Sequence, residues 1–299
     1  MYDLVKTGSC SVVLGKNKYK NYIPYIDDKL VKITKIKKSH NEYTHLSIIK
    51  KINNYQEYYS IPDKEYKILK PSDKFYQHIK KLVEHIDINI FDDLLYYSYI
   101  NYAGNKELYD TILDIDKYKD LTLWKSYRTI INFSEKILRS ISYLHHKKIC
   151  HLDIKPENII VNTYNFKFKI IDFGFCSIEP FDNFVKHISG SPGYFPKDLH
   201  FEEPSPWLPK IYANDVKIVN GDIPINKYRK LIYKIDSYCF GRTLYFLKYM
   251  YKKHRTYGCF NLEKKQESKL DKIIYSLIDN DVYSRSTVDQ CLSKYFNKF

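Results

Sequence analysis

HLDIKPENIIV at 151–161 and FKIIDFG at 168–174 are two short apolar segments, each joined to a turn that carries polar side chains. In the first turn, Asp153 and Asn158 lie five positions apart, and Pro156 between them excludes a regular helix. The turn therefore brings a carboxylate and an amide together at the end of a short strand.

The second turn adds Asp172, and Gly174 gives the backbone beside it conformational freedom. Together with Asp153, Lys155 and Asn158, Asp172 makes a site rich in hard oxygen atoms. Mg²⁺ prefers such oxygens and substrate phosphates to imidazole or thiolate ligands. Phosphoryl transfer needs a metal at the phosphates, a carboxylate that orients the attacking hydroxyl, and a cation, so these residues predict that chemistry.

The motifs resemble those of the eukaryotic-type serine/threonine protein kinase family over nearly the whole chain. HLDIKPEN is similar to the catalytic loop, which implies that Asp153 is the catalytic base and Asn158 a metal ligand. Lys155 resembles the lysine that steadies the transferred phosphate, and Asp172 resembles the main magnesium ligand. The resemblance implies ATP and Mg²⁺ as cofactors, with Mn²⁺ as an open alternative, and a protein as substrate.

A divergent phosphate-binding region precedes these motifs. VKTGSCSVV at 5–13 resembles a Gly-rich loop in which only Gly8 remains of the usual three glycines, and Val13 is expected to cover adenine. Lys32 resembles the strand lysine that binds the α and β phosphates. Glu42, ten positions later, is its expected partner on the following helix.

YINYAGNKEL at 99–108 resembles the segment that joins the two lobes of a kinase. The resemblance implies that Ile100 is the gatekeeper residue. It implies that Asn101 and Ala103 offer backbone groups to adenine and that Glu107 offers a carboxylate to the ribose.

Three further motifs follow in the family's order. ISGSPGYFPKD at 188–198 resembles the segment that ends in Ala-Pro-Glu, with Asp198 in place of the Glu and Arg285 as its expected partner. Ser191 stands where serine/threonine kinases place a hydroxyl near the catalytic Asp and Lys. Asp236 resembles the buried helix aspartate that holds the backbone of the catalytic loop.

Leu152 replaces the arginine that usually precedes the catalytic aspartate. In kinases that are switched by phosphorylation, that arginine pairs with a phosphate on the activation loop. Leucine cannot form this pair. The sequence therefore predicts activity that does not require phosphorylation between Phe175 and Ser189.

Strand-like segments dominate the first hundred residues and helix-like segments the rest, which indicates an α+β protein. The resemblance implies a two-lobed protein kinase-like fold, with a small β-rich N-lobe at 1–101 and a larger helical C-lobe at 102–299. We expect one protein kinase domain over 1–299. Strands are predicted at 12–15, 29–36 and 94–103; helices are predicted at 40–52, 72–86, 124–148 and 234–253, with two more in 269–296.

The net charge of +14 allows two interpretations. The chain is attracted to nucleic acid or anionic surfaces, or lysine is abundant only because its codons are AT-rich. We favour codon bias because the lysines are scattered, so no clear nucleic-acid site is expected. The abundance of Tyr, Lys, Ile and Asn favours a compact AT-rich genome, such as that of a large DNA virus or a parasite.

The six cysteines form no C-x-x-C pair, the N-terminus has no signal-like pattern, and no long apolar run predicts a membrane span. We therefore expect an intracellular, cytoplasmic protein, which for a viral source means the host cytoplasm or the virion.

Two rival functions stay open beside an active kinase. A pseudokinase scaffold that binds nucleotide without transfer is favoured by the eroded Gly-rich loop, but Lys32, Asp153, Asn158 and Asp172 are all present. A small-molecule kinase of the wider superfamily would usually lack the Lys155-Pro156 pattern, the DFG motif and the closing arginine motif. The oligomeric state is also open.

Overall fold

The computed structural model describes residues 5–8, 11–15, 18, 20–21, 29–35, 49–52, 54–60, 62–82, 95–118, 122–178, 191, 193–196, 225–254 and 260–296. The chain divides into two compact units: unit 1 comprises Met1–Ala103 with Asp172–Gly174, and unit 2 comprises Gly104–Ile171 with Phe175–Phe299. Unit 1 is built around a β-sheet and unit 2 is mainly helical, which confirms the α+β prediction. The single domain over 1–299 stays a prediction.

Unit 1 contains an antiparallel sheet with the strand order β1-β2-β3-β5-β4. In this sheet, Lys32 lies opposite Val13 on one side and opposite Ser98 on the other. The buried faces of the strands place Val12, Leu14, Val31 and Ile33 in one apolar core. The strands are β1 (Val5–Gly8), β2 (Ser11–Leu14), β3 (Lys29–Lys35), β4 (Pro62–Leu69) and β5 (Leu95–Asn101).

Within the described residues of unit 1, two helices accompany this sheet, α1 (Tyr55–Tyr58) and α2 (Lys74–Leu82). Helix α2 places Phe75, Tyr76 and Ile79 in the core of the sheet, because the spacing of these residues puts them on one face of a helix.

The observed helices differ from the predicted ones at their ends. Helix α2 begins after Asp73, whose carboxylate accepts a hydrogen bond from the Lys70 N–H, two positions later than the predicted start at residue 72. The helix predicted at 40–52 lies mostly outside the described residues. Its last part forms a turn in which the Ile52 N–H donates to the Ile49 carbonyl.

Unit 2 contains five helices within the described ranges, and they include the predicted ones. Helix α4 buries an apolar face that includes Ile137, Leu138 and Ile141. The helices are α3 (Leu108–Tyr118), α4 (Tyr127–His146), α5 (Ile225–His254), α6 (Phe260–Leu277) and α7 (Val288–Tyr295).

Local signals set the starts of two of these helices. The Ser126 hydroxyl accepts a hydrogen bond from the Thr129 N–H at the start of α4. Thr287 and Gln290 form a reciprocal capping box at the start of α7.

Short strands in unit 2 position the polar turns that the sequence singled out. β8 pairs with both β6 and β9, and β7 pairs with β10. A 3₁₀ turn over Pro156–Asn158 leads into β8, so the turn at 151–158 lies between β7 and β8. The strands are β6 (Lys106–Glu107), β7 (Ile149–Cys150), β8 (Ile159–Asn162), β9 (Lys167–Ile170) and β10 (Ser177–Ile178).

Among the helices of the described ranges, none combines the length and the apolar character that a membrane span requires.

Packing of α2 against the sheet is testable at Ile79, which is fully buried, with the exposed neighbour Lys80 as a control. We expect Ile79→Ala to lower the free energy of unfolding by about 2–4 kcal/mol, because it leaves a cavity in the core. Lys80→Ala should change it by less than about 0.5 kcal/mol. Urea denaturation of the three proteins measures both values, and equal stabilities would contradict the packing.

Candidate active site

The Asp236 carboxylate of helix α5 holds the backbone of the turn at 151–158. Asp236 is fully buried, its Oδ2 accepts a hydrogen bond from the His151 N–H at 2.8 Å, and its Oδ1 accepts one from the Leu152 N–H at 2.7 Å. Leu152 has a φ of +67°, a left-handed conformation that costs a side-chain-bearing residue about 1 kcal/mol or more. The two hydrogen bonds stabilise this unfavourable turn.

His145, near the end of α4, supports the same carboxylate. Its Nε2 lies 2.9 Å from Asp236 Oδ2. Burial raises the pKa of Asp236, but the hydrogen bond and charge of His145 and the contacts of His151 outweigh burial, so the net pKa is lowered.

The His151 ring connects the turn to the end of β9. The Asp153 N–H donates to His151 Nδ1 at 3.3 Å, so Nδ1 is the acceptor nitrogen. His151 Nε2 then carries the hydrogen and donates to the Ile171 carbonyl at 3.0 Å. His151 is therefore a buried residue whose ring nitrogens both bond the backbone.

Asp153 is almost completely buried, and both of its carboxylate oxygens are occupied. Oδ2 lies 2.9 Å from Lys155 Nζ and accepts a hydrogen bond from Asn158 Nδ2 at 2.9 Å. Oδ1 accepts a hydrogen bond from the Ser191 hydroxyl at 2.7 Å. Lys155 Nζ also donates to Ser191 Oγ at 2.6 Å, so four predicted residues form one cluster in unit 2.

The Asn158 amide has a defined orientation. Its Nδ2 donates to Asp153 O at 2.8 Å as well as to Asp153 Oδ2. Both amide hydrogens are thereby used, and Oδ1 keeps its acceptor capacity. The Ile171 N–H donates to the Asn158 carbonyl at 3.0 Å, and Asp172 is the next residue along the chain.

In unit 1, Lys32 and Asp172 form an ion pair with 3.5 Å between Lys32 Nζ and Asp172 Oδ1. The Lys32 side chain is buried, whereas the Asp172 side chain is 43% exposed. Asp172 also has a left-handed φ of +61°. The next residue, Phe173, is fully buried and packs edge-on against Tyr59, with 5.8 Å between ring centroids.

Several other predicted residues lie on elements of the sheets. Gly8 ends β1 opposite Ser11 in the register. Ile100 lies opposite Leu30 and Pro62, and Asn101 ends β5 opposite Lys29.

The remaining predicted residues of this region are half-buried. Val13 lies in β2, Ala103 follows β5, and Glu107 pairs with Ile160 in the β6–β8 ladder. The adenine, ribose and gatekeeper roles that the resemblance implies stay predictions.

Two predicted pairs involve residues outside the described ranges. Glu42, the expected partner of Lys32, lies there, and so does Asp198, the expected partner of Arg285. Arg285 is fully buried, its Nε donates to the Asp279 carbonyl at 2.9 Å, and its guanidinium lies 4.7 Å from the centroid of the Tyr238 ring.

Sequence reasoning missed His145 and Tyr59. One signal could have indicated His145: it is a polar residue in the last turn of an amphipathic helix, two positions before the C-cap Lys147. Tyr59 is one of three tyrosines between residues 55 and 59, and nothing in the sequence distinguishes it as the one that contacts Phe173.

The Protein kinase domain family model matches residues 32–205. This match covers more than half of the chain and contains Lys32, the turn at 151–158 and Asp172. The chain therefore belongs to the protein kinase family.

The curated relatives include several fungal kinases. The serine/threonine-protein kinase ppk34 of Schizosaccharomyces pombe is 27% identical over 226 residues, which cover 74% of this chain and 54% of that protein. The probable serine/threonine-protein kinase HSL1 of Saccharomyces cerevisiae is 26% identical over 170 residues, 53% of this chain and 11% of that protein. The carbon catabolite-derepressing protein kinase of Saccharomyces cerevisiae is 38% identical over 95 residues, 32% of this chain and 14% of that protein. The chain thus spans about half or less of the length of these relatives.

The role of Asp236 in holding the turn at 151–158 is testable with Asp236→Asn. The asparagine replaces one accepting oxygen by an NH₂ group, which then faces a backbone N–H that it cannot bond. We expect the free energy of unfolding at pH 7 to fall by about 3 kcal/mol. Folding lowers the pKa of Asp236. The contribution of its carboxylate to the free energy of unfolding is therefore complete above about pH 4, and it declines as the pH falls through the lower pKa of the folded state.

Urea denaturation of both proteins between pH 7 and pH 3 measures this dependence. The stability difference should be constant down to about pH 4 and shrink below it. A difference that grows in acid, or none at pH 7, would refute this role for Asp236.

Proposed function

We propose that the chain is an active serine/threonine protein kinase that transfers the γ-phosphate of ATP to protein hydroxyls. The observation that carries this proposal is the cluster of Asp153, Lys155, Asn158 and Ser191, in which a buried carboxylate is bound by a lysine, an amide and a hydroxyl. The curated relatives ppk34 and HSL1 carry the name serine/threonine-protein kinase, which supports the same substrate class.

In this proposal, Asp153 orients the substrate hydroxyl and accepts its proton. The Ser191 hydroxyl lies 2.7 Å from Asp153 Oδ1, which is a distance that suits proton transfer between a hydroxyl and a carboxylate. A carboxylate oxygen can accept a second hydrogen bond, so a substrate serine or threonine can share Oδ1 with Ser191.

Lys155 supplies positive charge beside the carboxylate. Its Nζ contacts Asp153 Oδ2 and Ser191 Oγ, so its position is fixed before substrate binds. A cation held in place stabilises the charge on a phosphoryl group during transfer without reorganising first. This geometry supports the role of Lys155 as the residue that steadies the transferred phosphate.

The residues proposed to hold Mg²⁺ have suitable donor atoms. Asn158 uses both amide hydrogens on Asp153 and keeps Oδ1, and Asp172 offers a partly exposed carboxylate. Hard oxygen donors of this kind fit Mg²⁺, with Mn²⁺ as the alternative. When bound, the metal neutralises charge on the phosphates of ATP.

Lys32 is the proposed ligand of the α and β phosphates. It projects from the central part of the sheet of unit 1, and its Nζ is paired with Asp172 at 3.5 Å. The adenine and ribose contacts proposed for Gly8, Val13, Ile100, Asn101, Ala103 and Glu107, and the Glu42 partner of Lys32, rest on the family resemblance.

The role of Asp153 is testable with Asp153→Asn, with the exposed Asp110→Asn as the matched control. We expect kcat for phosphorylation of a mixed protein substrate to fall about a thousandfold in Asp153→Asn, because the amide cannot accept the proton. Asp110→Asn should keep wild-type kcat, and thermal unfolding should show that both variants are folded. Undiminished turnover in Asp153→Asn would exclude Asp153 as the base. A wild-type chain that nucleotide stabilises against unfolding, but that transfers no phosphate, would indicate a pseudokinase.

Leu152 supports activity without a phosphorylation switch. Its side chain is buried and offers no charge to a phosphate. We expect phosphatase-treated protein to keep the kcat of untreated protein, within about twofold, and mass spectrometry should verify that 175–189 carries no phosphate. Loss of activity after phosphatase treatment would contradict this prediction.

A further inference from the structure

An open groove of about 470 Å³ lies on unit 2. Its walls come from α3, the 3₁₀ turn at 156–158, the segment 193–196 and helix α5. The lining residues are Tyr109, Glu157, Gly193, Tyr194, Arg242, Tyr245, Phe246 and Tyr249.

The groove adjoins the Asp153 cluster through two segments of the chain. Glu157 directly precedes Asn158, and Gly193 and Tyr194 follow two and three positions after Ser191. The Tyr194 N–H donates to the Ser191 carbonyl at 3.1 Å. A peptide whose hydroxyl reaches Asp153 therefore passes close to the groove.

Aromatic side chains make up most of the lining. Tyr245 and Tyr249 lie one turn apart on α5 and are 42% and 55% exposed, although they are large and largely apolar. Tyr109 and Phe246 pack together with 6.4 Å between their ring centroids. Exposed aromatic rings that converge on one concave surface are typical of a recognition site.

Two charged side chains of opposite sign also line the groove. Arg242 Nε donates to the Gly193 carbonyl at 3.1 Å, and its guanidinium lies 5.5 Å from the centroid of the Tyr245 ring. Glu157 Oε2 is buried and has no hydrogen-bond partner within the described part of the chain. The two charged side chains of the lining have opposite signs, so the groove carries no net charge.

We propose that this groove binds a large apolar side chain, aromatic or aliphatic, of the protein substrate close to its phosphorylated serine or threonine. The inference rests on the proposed kinase function and specifies its substrate class. The aromatic rings contact the apolar side chain. Tyr245 and Tyr249 are therefore specificity-determining residues.

The lining favours an apolar occupant over a basic one. A lysine or arginine side chain in the groove meets the Arg242 guanidinium of its lining, and like charges repel. An apolar side chain meets no such repulsion and removes ring surface from water, which is favourable. Peptides with arginine at the same position should therefore bind more weakly than peptides with phenylalanine or leucine.

The test uses serine peptides in which each position near the acceptor is Phe, Leu, Arg, Glu or Ala in turn. With the wild-type chain, Phe or Leu at one position should lower KM about tenfold relative to Ala, with kcat unchanged. Tyr245→Ala/Tyr249→Ala should abolish this preference and keep the kcat for the Ala peptide. The control Tyr275→Ala/Tyr283→Ala removes two exposed tyrosines that do not line the groove, and it should keep the preference.

Fluorescence anisotropy of the same labelled peptides gives a readout that needs no catalysis. If the wild-type chain transfers no phosphate, the proposed function fails, yet tighter binding of the Phe peptide than of the Ala peptide still supports the groove. A preference for Arg over Phe would overturn the inference. So would a Phe preference that survives in Tyr245→Ala/Tyr249→Ala while that variant is folded.

Discussion

The buried Asp236 carboxylate is the interaction on which the proposed active site depends. It accepts the N–H groups of His151 and Leu152, and it keeps Leu152 in a left-handed conformation that a leucine would not adopt alone. The following residue is Asp153, so the direction of its side chain follows from this turn. A helix formed more than 70 residues later thereby determines the geometry of the turn at 151–158, and His145 provides the partner that keeps Asp236 charged.

Residues near one another in sequence were the easiest to predict. Asp153, Lys155 and Asn158 lie within six positions, so their proximity could be predicted from the turn around Pro156, although the distant Asp236 holds the backbone of that turn. Ser191 joins them from a distant segment, and only the family resemblance indicated its place. Roles for these side chains remain proposals, whereas their proximity is a structural fact.

Other elements could not be predicted, for physical reasons. Strand β4 has the sequence PDKEYKIL, in which charged residues obscure the apolar alternation of a strand. Among the described residues it lies at the edge of the sheet, with a neighbouring strand on one side only, and charges and an initial proline are tolerated at such an edge. His145 was missed because its partner, Asp236, is 91 positions away.

This chain combines residues that are proposed for phosphoryl transfer with altered surroundings. The side chains proposed for phosphoryl transfer are present, whereas Leu152 stands where the family resemblance implies a regulatory arginine, and aromatic rings line a groove beside the cluster. Phosphoamino-acid analysis after incubation with labelled ATP and mixed proteins tests the central claim most directly. The account predicts labelled serine or threonine with the wild-type chain and no label with Asp172→Ala. Label that persists with Asp172→Ala, or that appears on tyrosine alone, would contradict it.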